Sequence, residues 1–278
     1  MAIDALDATL LDAARERSKH LDMTDHAMAA RTIKEPEEIA LTIEAASFAD
    51  LFLTRLHAAA GDIITAGGTE ADLMADAMVH ARRALFKKHK QAFTGIPMGI
   101  TASVHSGPRA ALPHGSVLER VPQPGETLIA GIGCSLGGYH AESGVTLIVG
   151  DISDEQLRIM GAMEACNDAA VAACADRATC TQVNDVALHA LRKAGLGNAI
   201  RHRIGHGMGL EGHEAPWLAP GDATPIQTHM VFSNEPGVYR PGTDGYRTIN
   251  TMIVAEDEVQ IPSKFQATTP IDTRVIAI

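Results

Sequence analysis

The order of segments in this chain predicts an α+β architecture, with helices packed on one side of curved antiparallel sheets. Two observations carry that expectation. Apolar residues recur at helical spacing in four stretches, residues 36 to about 60, 69–88, 153 to about 175 and 183–194. Short apolar runs bounded by glycine or proline gather elsewhere, at 128–132, 139–149, 230–235, 251–255 and 273–278, and read as strands.

Taken in order, residues 6–17 and 24–30 are amphipathic and helix-compatible, and form an N-terminal helical appendage over residues 1–30 that precedes a domain of residues 31–278. Pro36 with Glu37 and Glu38 suits a first helical turn: proline loses no hydrogen bond there and the helix dipole favours acids. Thr69 with Asp72 resembles a capping box and opens the next helix, which carries Leu73, Met74, Met78 and Ala81 to a basic end at Arg82, Arg83, Lys87 and Lys88. Residues 96–113 are rich in glycine and proline and read as a loop. Pro124-Gly125-Glu126 marks a turn, and Gly137-Gly138 a hairpin break between two strands. Ser153 with Gln156 is a second capping box, and Gly195 stops the helix that begins at Val183.

The whole-chain properties exclude several classes. At 278 residues, 46% apolar and 21% charged, with mean hydropathy +0.02, the chain has the composition of a globular protein able to bury a substantial core. Lys+Arg 23 against Asp+Glu 34 leaves a charge of −11, which disfavours a nucleic-acid partner. The four cysteines, Cys134, Cys166, Cys174 and Cys180, contain no Cys-x-x-Cys pair and read as buried or free thiols of a reducing compartment. The N-terminus has no basic, apolar leader and no window reaches membrane length, so a cytoplasmic protein without a membrane partner is expected.

The chemistry concentrates near the C-terminal end, in Gly205-His206-Gly207-Met208-Gly209-Leu210-Glu211-Gly212-His213-Glu214-Ala215-Pro216, then Pro220-Gly221-Asp222, then Asn234-Glu235-Pro236-Gly237-Val238-Tyr239. Glycines on both sides of His206 permit a tight backbone path, and two imidazoles and a carboxylate become available to one cavity. These motifs, in this order, resemble those of the pita-bread hydrolases, which include aminopeptidase P, prolidase, methionine aminopeptidase and creatinase. The resemblance runs from about Arg31 to the C-terminus and implies the pita-bread fold. It also implies that His114, in Pro113-His114-Gly115, is carried into the active site. Elsewhere a lone histidine reads as a packing or surface residue, as for His105, His140 and His202.

In metal-dependent relatives five ligands hold two divalent ions, and two of the five are missing here. The first aspartate falls on Gly131 and the last, bridging glutamate on Ile249; Glu142, His206 and Glu235 match the other three. Two adjacent ions need bridging carboxylates to offset their repulsion. The resemblance therefore points to a creatinase-like, metal-independent hydrolase of C–N bonds in a small amidino, guanidino or cyclic amidine compound, with no cofactor. Glu142 and Glu235, otherwise uncompensated, would be neutralised by a small cationic substrate. In that reading His114, His206, His213 and Glu235 are catalytic, His114 as the acid/base because an imidazole accepts and returns protons at neutral pH. Glu142, Glu235, Tyr139 and Arg247 line the substrate site, and a homodimer is expected.

Two alternatives stand beside it. A single ion such as zinc, manganese or iron on Glu142, His206 and Glu235 would make an Xaa-Pro aminopeptidase or dipeptidase, since carboxylates with an imidazole suit those metals. A catalytically silent pita-bread module that binds proteins is the other. Trp217 either walls the pocket or packs.

Overall fold

The computed structural model describes residues 2–3, 7–18 and 20–278. Near the N-terminus β1 (Ala2–Ile3) pairs in parallel with β2 (Asp22–Met23), with α1 (Leu11–Arg17) between them and α2 (His26–Thr32) following. Leu6, the predicted start of the first helical segment, lies outside the described residues. Then comes α3 (Pro36–Thr65), whose first turn is closed by the Glu35 amide donating to the Glu38 carboxylate at 2.7 Å. It runs past the predicted end near residue 60 to bury Ile64, and at Gly61 the Ala277 carbonyl approaches where a Cβ would overlap it. The predicted capping box opens α4 (Glu70–His89), where the Asp72 amide donates to the Thr69 hydroxyl at 3.3 Å.

The predicted loop at 96–113 needs correction. It contains β3 (Gly99–Ser106), an eight-residue strand paired along its whole length with β4 (Thr127–Leu136). The β-branched residues Ile100, Thr101 and Val104 were the strand signal, masked by the flanking glycines and prolines. After Gly137 and Gly138, both at positive φ, the chain returns as β5 (Tyr139–Val149). Next come α5 (Asp154–Ala175), capped as predicted by Ser153 and Gln156, and α6 (Cys180–Lys193), which starts earlier than expected behind a Thr179–Gln182 box. The last third supplies β6 (Gly205–Gly207), β7 (Glu214–Leu218), β8 (Val231–Asn234), β9 (Gly237–Arg240), β10 (Asp244–Arg247), β11 (Ile249–Val254), β12 (Val259–Gln260), α7 (Phe265–Thr268) and β13 (Val275–Ile276).

One sheet runs in the order β3-β4-β5-β11-β8-β6-β7, with β12 on β11 and β13 on β5; β9 and β10 form a separate hairpin. Within this large sheet pairing is antiparallel except for β13, which runs parallel to β5. Strand alternation decides which groups face the helices. On β4, Leu128, Ala130, Ile132, Cys134 and Leu136 pack with α3 and α4 in one core, while Gly131 and Gly133 face the opposite side, into a cavity. The same parity on β5 sends Ala141, Val145 and Leu147 to the core and Glu142 to the cavity. A second core joins α5 and α6 to Phe232 of β8 and Met252 of β11. Between them, Asn167 of α5 accepts hydrogen bonds through one carbonyl oxygen from the Asn234 and Asn250 amides, both at 2.9 Å. The four cysteines are buried and free. Among the described residues, no helix is long and apolar enough to cross a membrane.

Candidate active site and metal centre

The predicted residues His114, His206, His213, Glu142, Glu235 and Arg247 converge on the face of the sheet opposite the helices. Two adjoining cavities of ≈ 270 Å³ and ≈ 250 Å³ share His114, His213, Glu235 and Arg247 in their walls; His206 lines the first and Glu142 the second. Tyr139 is placed elsewhere: its phenol donates to Glu38 of α3, which removes it from the substrate walls proposed for it.

His206 sits on β6, hemmed by β7 and β8, with Ser233 as its register partner. The flanking glycines are needed for close approach. A Cβ at Gly205 would overlap the Ser233 carbonyl oxygen, and one at Gly207 would lie 2.7 Å from the Ala215 carbonyl oxygen. Both ring nitrogens of His206 face acceptors, Nε2 the Glu235 carboxylate at 2.6 Å and Nδ1 the Gly207 carbonyl at 3.0 Å. Burial alone would lower its pKa, but the bond to Glu235 and the nearby charges raise it. Glu235 shows the converse: burial pushes it up, and the bond and charge of His206, then Arg247, hold it below the usual carboxylate range. Glu142 is raised, by burial first and then by the charge of Glu235. Its carboxylate accepts from the Ser233 hydroxyl at 2.7 Å and lies 3.8 Å from His206 Nε2. The Thr251 hydroxyl grips its main chain on both sides, accepting from the Glu142 amide and donating to its carbonyl, each at 2.8 Å.

These charges correct the expectation that a cationic substrate must neutralise two bare carboxylates. Compensation is already built in: His206 is bonded to Glu235, Arg247 lines both cavities, and the Glu142 carboxylate accepts from Ser233.

His213 stacks on His206, with ring centroids 3.9 Å apart, and burial followed by the charge of His206 lowers its pKa. Among the described residues, Glu142, His206 and His213 form the group whose ligand atoms all lie within 4.8 Å of one another. That set holds His213 where the sequence reading placed Glu235. The residues fit one divalent ion, with one carboxylate and two imidazoles as donors. They do not fit two. Gly131 and Ile249 line the cavity where carboxylates would be needed, and a Cβ at Gly131 would lie 2.5 Å from Arg247 Nη2.

Sequence reasoning missed Arg201, His202 and Arg203, which line the first cavity. His202 Nε2 bonds the Tyr239 hydroxyl at 2.8 Å, and the Arg203 guanidinium lies over Trp217, 4.5 Å from its ring centroid. The Arg-His-Arg run just before Gly205-His206-Gly207 was the available signal. Glu214 was also missed. It is buried and held by Lys34 at 2.9 Å and Arg31 at 2.7 Å, which ties the junction between α2 and α3 to the strand that follows His213.

Comparison with known proteins places this geometry. Residues 42–256 match the model of metallopeptidase family M24. The chain is 33% identical over 235 residues to the probable dipeptidase PepE of Mycobacterium tuberculosis, covering 84% of this chain and 59% of that protein. It is 30% identical over 227 residues to the Xaa-Pro dipeptidase of Pyrococcus furiosus, covering 82% and 62%. The crystal structure of dipeptidase PepE from Mycobacterium ulcerans superposes with a TM-score of 0.83 at 28% identity, covering 100% of this chain and 71% of that one. This chain thus spans about three-fifths of the length of the curated relatives it matches.

The comparisons support the α+β pita-bread fold and the hydrolase expectation, and they overturn the metal-independent amidinohydrolase. A metallopeptidase family, dipeptidase relatives and a three-donor group in the cavity contradict both the creatinase-like activity and the absence of a metal cofactor. The findings favour the alternative weighed beside it, a single-ion peptidase, because three donors suffice for one ion even where a pair of ions has lost two ligands. With its motifs, its sheet and its matching residues in agreement, the chain belongs to metallopeptidase family M24.

Proposed function

We propose that this chain hydrolyses short peptides, of the dipeptide or Xaa-Pro class, with one divalent ion held by Glu142, His206 and His213. The observation that carries the reading is the convergence of those three donors within 4.8 Å in the cavity walls, with His206 braced by Glu235. The relatives named as dipeptidases supply the substrate class. Cavities of ≈ 270 and ≈ 250 Å³ suit a ligand of a few residues better than a long chain.

When bound, a divalent ion supplies Lewis acidity, polarising a peptide carbonyl and acidifying water. The protein's own residues do the rest. Ser233 and Thr251 fix Glu142, so that its carboxylate stays aimed into the cavity. Glu235 fixes the His206 ring through Nε2 while that nitrogen carries its proton, and ligation through Nε2 would release the proton and leave Glu235 free in the cavity wall. His114, exposed and lining both cavities, moves a proton to or from the departing amine.

The test is metal analysis of the purified chain together with hydrolysis of a dipeptide panel that includes Xaa-Pro sequences. Release of amino acids, lost to a chelator and restored by manganese or zinc, is the expected result. A chain that binds no divalent ion, or that cleaves none of the panel when loaded, refutes the proposal.

A further inference from the structure

The space opened by Gly131 is not left without charge. Arg247, only 6% exposed at the end of β10, sends its guanidinium there, so that a Cβ at Gly131 would sit 2.5 Å from Nη2 and 3.3 Å from Cδ1 of Ile249. Nη1 donates to the Pro113 carbonyl at 2.5 Å, the side chain also reaches the Tyr239 phenol, and Nε is buried with no partner. Among the described residues the two cavity carboxylates pair with His206, and no carboxylate pairs with this guanidinium. Arg247 acts on Glu142 and Glu235 through space without a direct bond, so its unpartnered donor would be met by an anionic oxygen that enters the cavity. Arg247 lines both cavities, so the oxygens of an entering ligand are the groups positioned to do so.

We propose that Arg247 stands in for one ion of the family's pair: its guanidinium, entering the space of the missing carboxylate at Gly131, is the second positive charge of a one-ion centre and receives an anionic oxygen of the bound peptide. This rests on the single-ion reading above. A guanidinium suits the task because its planar donors match a carboxylate or a developing oxyanion, and its charge is permanent. It also repels a nearby divalent ion, so one residue both limits the centre to a single metal and replaces the electrostatic work of the other.

The test begins with the wild-type chain. After loading with manganese and desalting, elemental analysis is expected to give one ion per chain; two ions overturn this inference alone, and none overturns the metal-site reading and this inference with it. Metal-free wild-type protein is expected to bind inorganic phosphate by calorimetry, because the anion-holding charge is built in; no binding overturns the inference. Arg247→Gln is expected to bind manganese on the order of tenfold more tightly and phosphate at least about tenfold more weakly, whereas Arg247→Lys, which keeps the charge, stays near wild type for manganese. A folded Arg247→Gln variant with unchanged or weaker manganese binding shows a merely structural arginine and overturns the inference. Should that variant fail to fold, the two wild-type measurements decide.

Discussion

Removing the Glu214 carboxylate strands a buried ammonium. Lys34 is 2% exposed, and its Nζ has two partners, Glu214 at 2.9 Å and the Thr32 carbonyl at 3.2 Å. Burial already lowers its pKa, against the pull of Glu214. Arg31, the other partner of Glu214, is partly exposed and also bonds Glu211, so it turns towards solvent at little cost. Glu214→Gln keeps the volume and removes the charge, which leaves Lys34 uncompensated. The loss expected for breaking one side of a buried pair is about 3–5 kcal/mol, with deprotonation of Lys34 limiting it at high pH. Replacing both partners, Lys34→Met with Glu214→Met, removes the charge and its need together and is expected to recover to within about 1–2 kcal/mol of wild type. Urea unfolding followed by circular dichroism, run on Glu214→Gln, on Lys34→Met and Glu214→Met singly, and on the double, measures the coupling. If Glu214→Gln lies within about 1 kcal/mol of wild type, or if the double variant is less stable than Glu214→Gln, the buried-pair account is refuted.

His105 gives a pH signature. It is fully buried, and burial, then the charges of Arg247 and Arg109, lower its pKa from 6.5 to about 4. The unfolded chain therefore binds the proton first, so this contribution is fully present above pH 6.5 and is lost as pH falls from there towards 4. The loss amounts to roughly 3 kcal/mol by linkage. His105→Leu is expected to flatten the stability profile across that window, and an unchanged slope would show that another group is responsible. Gly205→Ala tests the strand that carries His206. The added methyl would overlap the Ser233 carbonyl oxygen, so β6 must move from β8 at a cost of roughly 1–3 kcal/mol, with weaker manganese binding in the same variant. Wild-type stability and wild-type metal affinity together would disprove the close-packing role.

The parts of this molecule that depend on near neighbours were readable from the sequence. The Thr69–Asp72 and Ser153–Gln156 boxes close over three residues, and the β4–β5 hairpin turns on adjacent glycines, so their causes lie within a few positions. The strand β3 was hidden because its stability comes from pairing with β4 across a long connection, while its own flanks carry turn residues. The three-residue β6, two of them glycine, has no strand pattern and exists only because β7 and β8 enclose it. At the site, matching motifs located His114, Glu142, His206, His213 and Glu235 in one region, yet the charge balance came out wrong. That balance turns on Arg247 reaching Gly131 and on His206 meeting Glu235, contacts between residues far apart in the chain that no spacing rule predicts.

The shared oxygen of Asn167 has a mechanical meaning. By clasping the amides of Asn234 and Asn250 at once, a helix on the outer face acts as a caliper for the two strands that border the inner cavity. Its jaws are closed by amide groups alone, on the side away from any ion. The inner wall of β11 can therefore carry isoleucine at 249 where an acid would bridge ions, while the spacing of β8 and β11 is kept from behind.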